Sequence, residues 1–121
     1  MSAHKLDLVH LAIRSGVFGH IRWKYSAECL VRDDAAMYAN GVSPAEIRKI
    51  LREFVRAGNS LSVRHETRQE YLAEHPDDPF WYRAVIPSAA FAHGLFIEVK
   101  LVDDDPVEPW IEIVSAHPQL P

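Results

Sequence analysis

Apolar positions in the first half of the chain recur with a period near 3.6, those in the second half with a period of 2, and the change falls at Gly58-Asn59. Leu6, Val9, Ile13 and Val17, widened by Leu11 and Ala12, predict a first helix from about Ala3 to Ser15, stopped at Gly16. The next stretch, VFGHIRWKYS, reads equally as a short strand or an extended loop. Ser26 is placed to cap a second helix with Leu30, Val31, Ala35 and Tyr38 on one face, and Asn40-Gly41 to end it in a left-handed turn. Ser43-Pro44-Ala45-Glu46 opens a third: an N-cap serine, a proline at the first helical position and a glutamate spaced for a capping box. Ile47, Ile50, Leu51, Phe54 and Val55 then make a core-facing stripe, closed by Gly58-Asn59.

Beyond Asn59, LSVRH, FWYRAVI, GLFIEVKLV and WIEIVSA alternate as four strands. DDDPVEP is a turn between the last two, and ETRQEYLAEHPDDP is a polar excursion with room for one helical turn. The expected fold is therefore a single α+β domain, residues 1–121, with N-terminal helices packed on one face of a four-stranded antiparallel sheet. Alternation sends Leu61, Val63, Leu95, Ile97, Val99, Leu101, Ile111 and Ile113 inward. It sends Ser62, Arg64, Phe96, Glu98, Lys100, Trp110 and Glu112 to the opposite face, where Arg83 is placed as well. Pro118 is expected to end the last strand, leaving His117 just past it on the side of Ile111 and Ile113.

Composition changes this picture little. Apolar residues make up 48% and charged residues 25%, which is ordinary for a folded domain and argues against global disorder. No apolar run is long enough for a membrane helix, and MSAHKLDLVHLAIR is unlike a signal peptide, so a cytoplasmic protein without a membrane partner is expected. The lone Cys29 has no disulfide partner and reads as a small hydrophobe within a helix. Charge is more informative in its distribution. The net value is −4, yet residues 1–58 carry nine Lys/Arg against six Asp/Glu and residues 59–121 carry four against eleven. A polyanion would have to approach the basic half or a local cationic patch.

Candidate chemistry follows from the strand faces. Arg64, Arg83 and Lys100 would share the outward face with Glu98 and Glu112, with aromatics between them. Cations can hold a phosphodiester, while a carboxylate or an imidazole moves the proton of a ribose 2′-hydroxyl; cross-strand ion pairs on a solvated sheet give the same pattern without chemistry. Arg48, Arg52 and Arg56 form a stripe on the third helix that would grip RNA or an acidic partner, or simply face water. The seven histidines do not take metal-ligand spacing: His65-Glu66-Thr67-Arg68-Gln69 misses H-E-x-x-H by its last residue, so no metal is expected. Nor is a nucleotide cofactor, in the absence of a glycine-rich fingerprint. His10 is placed beside the first helix's apolar stripe as a hydrogen-bonded residue at the core's edge, and His93 and His117 sit at strand ends, where a ring can reach a cleft.

Helices followed by an antiparallel sheet, the stretch AMYANGVSPAEIRKILRE and the final IEIVSAHPQ together resemble small ribonuclease toxins of the RelE and BrnT type, within a broader barnase-, EndoU- and colicin-nuclease-like group. The first stretch is similar to their R-G-[IV]-S-x-x-E-I signature, with Asn40 in place of the arginine, and the second to an R-I-I-S-A-R ending, with His117 in place of the last arginine. The resemblance spans residues 26–117. It implies metal-independent RNA cleavage and an antitoxin-like protein partner, and sets Arg64, Arg83 and His117 nearest the cationic and acid-base positions of such toxins. Taken with the strand-face and helix-stripe readings, the expected catalytic groups are His117, Arg83 and Glu98 and the expected substrate contacts Arg64, Lys100, Arg48 and Arg52. Net acidity points to a second function on the same scaffold, a non-enzymatic inhibitor, immunity or regulatory module that presents an acidic surface to a basic partner.

Overall fold

The computed structural model describes residues 4–15, 18–74 and 79–121. Helix α1 spans Leu6–Arg14 and buries Val9, Ala12 and Ile13; the expected positions Ala3, Gly16 and Val17 lie outside the described residues. His10 stands at the core's edge as expected, its Nε2 accepting a hydrogen bond from the Leu61 backbone N–H at 3.2 Å. The second expected helix is two: α2, Tyr25–Arg32, and α3, Ala35–Ala39. Asp33-Asp34 divides them, because the Asp34 carboxylate accepts from the Met37 N–H at 2.9 Å and so starts a new helix instead of continuing the old one. Ser26 lies within α2 and caps nothing, and the break leaves Leu30 and Tyr38 exposed while Val31 and Met37 are buried. Gly41 takes the left-handed conformation expected after Asn40.

Helix α4, Pro44–Arg56, follows its sequence closely. Ser43 Oγ accepts from the Glu46 N–H at 3.1 Å, and Ile47, Leu51 and Val55 are buried, each contributing roughly 1.5–3 kcal/mol.

The sheet departs from expectation in two ways. It has five strands in the order β1-β5-β4-β3-β2, with β1 at Ile21–Trp23, β2 at Ser62–His65, β3 at Phe80–Ile86, β4 at Leu95–Asp103 and β5 at Trp110–Pro118. Strand β1, part of the ambiguous VFGHIRWKYS stretch, runs parallel to β5, so the sheet is mixed and not a four-stranded antiparallel one. It gains its place by setting Ile21 beside Ile111 in the core and by the Trp23 indole N–H, which donates to the Pro44 carbonyl at 3.2 Å. Secondly, the chain returns over the outer face. α1 and α4 cover the inner face, where Tyr82, Ala84, Ile97, Val99, Ile111 and Ile113 lie, whereas the segment entering α5, Gln69–Glu74, lies against the outer one, with Arg68 over Trp81 and bonded to Glu98. Its approach is fixed by Arg68 against Glu98 and by the Lys24 ammonium, 4.6 Å from the centre of the Tyr71 ring and 3.6 Å from Glu74.

Strand β5 also continues through Pro118, which pairs with Leu95. Val99 faces Ile113 but Glu98 faces Ser115, so Val114 is an extra residue, a β-bulge. Alternation is reset there. Ala116 takes the inner side opposite Ile97, and Ser115 and His117 turn outward. The expectation that His117 lies past the strand on the side of Ile113 is thereby corrected: it is inside the strand, on the other face. No helix among the described residues is long and apolar enough to cross a membrane.

Candidate functional site

Register brings part of the expected site together. Ser62, Arg83, Glu98 and Ser115 face one another in turn across β2, β3, β4 and β5, and the next row holds Val85, Phe96 and His117. Arg83, Glu98 and His117, from three strands, thus occupy adjoining rows of the outer face. Arg64, on edge strand β2, shares that face opposite Trp81. The His117 ring is exposed and stacks on Phe96, with centroids 4.7 Å apart and planes 20° from parallel. Its Nδ1 lies 2.9 Å from the Pro118 carbonyl oxygen, which can only accept. The neutral ring therefore carries its proton on Nδ1 and leaves the Nε2 lone pair for a ligand or a proton.

Glu98 and Lys100, expected on a solvated face, are buried, Lys100 completely. The segment leading into α5 covers them. Glu66 accepts from the backbone N–H groups of Thr67 and Arg68 at 3.1 and 3.0 Å, which folds that segment back over the sheet. The Arg68 guanidinium then grips Glu66 through two N–H groups, at 2.8 and 3.1 Å, reaches the Glu98 carboxylate with another bond, and lies over the rings of Tyr71 and Trp81. The Lys100 ammonium donates to the Phe80 carbonyl and stands 3.6 Å from Glu66. Burial alone would push the Glu66 carboxyl up. The bonds from the Arg68 side chain and backbone, with the charges of Arg68 and Lys100, outweigh burial and hold it at about 2. Donating to the Glu66 carboxylate in turn raises Arg68 above its ordinary value.

Arg48 and Arg52 are not part of this face, since they lie on α4, across the sheet from it. Both are half-buried, and burial lowers the Arg48 guanidinium against the opposing pull of Glu28. Arg56 donates two hydrogen bonds to the Arg14 carbonyl, at 2.9 and 3.2 Å, and so closes the end of α1. Among the described residues no three His, Cys, Asp or Glu side chains gather as a metal site would require.

Arg68 and Glu66 went unremarked in the sequence except as members of a failed zinc motif. A usable signal was present: Glu98 and Lys100 sit on the middle strand of a sheet, where charges need partners, and the excursion 66–74 was the segment with charges still unplaced. No family model matches the chain, and neither the curated proteins nor the solved structures contain a match to it.

Proposed function

We propose that the chain is a ribonuclease-like domain, a toxin of the RelE and BrnT kind, that handles single-stranded RNA on the open part of its outer sheet face. The observation that carries this reading is the placement of Arg83, Arg64 and an exposed His117 on one face, with Phe96 stacked beneath the imidazole. The guanidinium groups hold the phosphodiester and offset the charge that gathers on phosphorus during transfer. With Nδ1 engaged by Pro118, His117 exchanges a proton at Nε2, taking it from a 2′-hydroxyl or giving it to the leaving 5′-oxygen. Glu98, opposite Arg83, contributes charge to the row; its engagement by Arg68 makes His117 the acid-base group that substrate reaches directly.

The test is degradation of single-stranded RNA by the purified protein. Cleavage is expected, with a loss of about 100-fold or more in His117→Ala and a marked weakening of RNA binding in Arg83→Ala. Failure of the unaltered protein to cleave any RNA sinks the enzyme. A specific observation favours the second reading, a non-enzymatic module for a basic protein partner. The β4–β5 turn presents Asp103, Asp105 and Glu108 around the exposed Val107, and it is held in shape by the Asp105 carboxylate accepting from Val107 and Glu108 N–H groups at 2.8 and 3.0 Å. On that reading Asp105→Lys abolishes partner binding and leaves RNA unaffected.

A further inference from the structure

The row Val85, Phe96, His117 does not end the usable surface. Beyond it the β3–β4 connection frames an open hollow of about 300 Å³, lined by Val85, Pro87, Ser88, Phe91, His93 and Gly94. Its walls are fixed by main-chain bonds: Gly94 N–H donates to Phe91 O at 3.0 Å, and Gln119 N–H donates to Gly94 O at 2.9 Å. Gly94 has φ of +88°, and a Cβ there would come within 2.8 Å of the Ile86 carbonyl oxygen. Glycine is therefore what lets the loop lie this close to the strand. The cavity is apolar on the sides of Val85, Pro87 and Phe91, and it has polar groups in Ser88 and the exposed His93. At this size it sits at the small end of ligand pockets.

Such a cavity suits a flat heteroaromatic ring with hydrogen-bonding edges. Val85 connects it to the rest of the face, lying directly opposite Phe96, which lies opposite His117. Arg83 is two residues back on the same strand and the same side, about 7 Å away at the rise of a strand. A partly apolar hollow with an arginine on the adjoining strand row matches a base and the phosphate attached through its ribose. We infer that the cavity at the β3–β4 turn is a base-binding subsite that seats one nucleobase of a single-stranded RNA while Arg83 holds the adjoining phosphate, an assignment that rests on the RNA-handling role proposed above.

The test uses the full chain, a six-nucleotide single-stranded RNA followed by fluorescence anisotropy, and NMR titrations with the four nucleoside 5′-monophosphates and with ribose 5-phosphate. Nucleotides shift the resonances of Val85 and His93, whereas ribose 5-phosphate moves Arg83 and leaves the cavity unperturbed. Val85→Trp fills the hollow from an exposed position and weakens the RNA hexamer about tenfold, in line with the loss of one stacked base. His93→Ala, also exposed, weakens it less and changes the order of preference among the four bases. If the hexamer binds the native chain and both variants equally, the subsite is wrong and the RNA-handling face stands. If the native chain binds neither the hexamer nor any nucleotide, both fall.

Discussion

The outer face of the sheet is two regions built from the same residue types. Where the segment entering α5 lies on it, Glu66, Glu98 and Lys100 are buried and engaged with the half-buried Arg68 or with one another; opposite Glu98 in the same row, and in the next row, stand Arg83 and Phe96, half-buried, and His117, exposed. What separates a structural charge from an available one here is whether a segment of chain crosses over it. A buried ion pair is costly to break because the survivor stays in a low dielectric, whereas an exposed charge is re-solvated at once when its neighbour goes. The two regions should therefore answer substitution in opposite ways, stability in one and ligand handling in the other.

Glu66→Ala tests the covered region most severely. It leaves Lys100 buried beside a lost carboxylate and is expected to cost about 3–5 kcal/mol in urea unfolding, and a loss below 1 kcal/mol would break the comparison. Acid probes the same group without mutation. Glu66 is held at about 2 in the fold against an ordinary 4.5, so below 4.5 the unfolded chain takes up a proton that the folded chain refuses. Stability present above 4.5, on the order of 3 kcal/mol, is then lost as pH falls through 4.5 toward 2. Melting temperatures across that range should flatten in Glu66→Gln, and an unchanged profile would remove Glu66 as the cause. Arg68→Ala removes the clamp over Glu98 and is expected to destabilise by about 2 kcal/mol, less than Glu66→Ala because water can reach part of the guanidinium site. His117→Ala, at the open end, should change stability by no more than about 0.5 kcal/mol and, on the proposed reading, lower RNA cleavage about 100-fold or more. Unfolding to the extent of the Glu66 variant would show that the open row is structural too.

How much of this was legible in the sequence depended on whether the deciding interaction was local. Helix α4 was fully legible because its cap, proline and stripe all lie within one segment, and β2 to β5 were legible from their period. The division of α2 from α3 turned on a single Asp34 side chain, which the apolar spacing of Val31, Ala35 and Tyr38 outvoted. Strand β1 offers three residues and one buried side chain, and its partner β5 is remote in the chain, so no local pattern separates it from loop. Period sorts Glu98 and Lys100 to one face of β4 correctly but says nothing about what lies over that face. The site residues divided the same way: Arg64 follows from strand parity and Arg83 from its own charge, since FWYRAVI is apolar on both sides, whereas the position of His117 depends on Val114, which a strand accommodates with or without a bulge.

That bulge gives β5 an arithmetic that bears on how the chain tolerates insertion and deletion. Counting from Ile113, His117 is four steps away and belongs with the core by parity; the bulge takes Val114 out of the alternation, leaves three steps and turns the imidazole out. Removing Val114 would make β5 regular beyond Ile113 and leave Ala116 inward and His117 outward, whereas straightening the bulge with Val114 kept in the alternation would carry His117 to the core side and bring Ala116 to the surface. In a regular strand the loss of one residue turns every later side chain to the other face. At Val114 it does not, because the bulge already holds that residue out of the alternation.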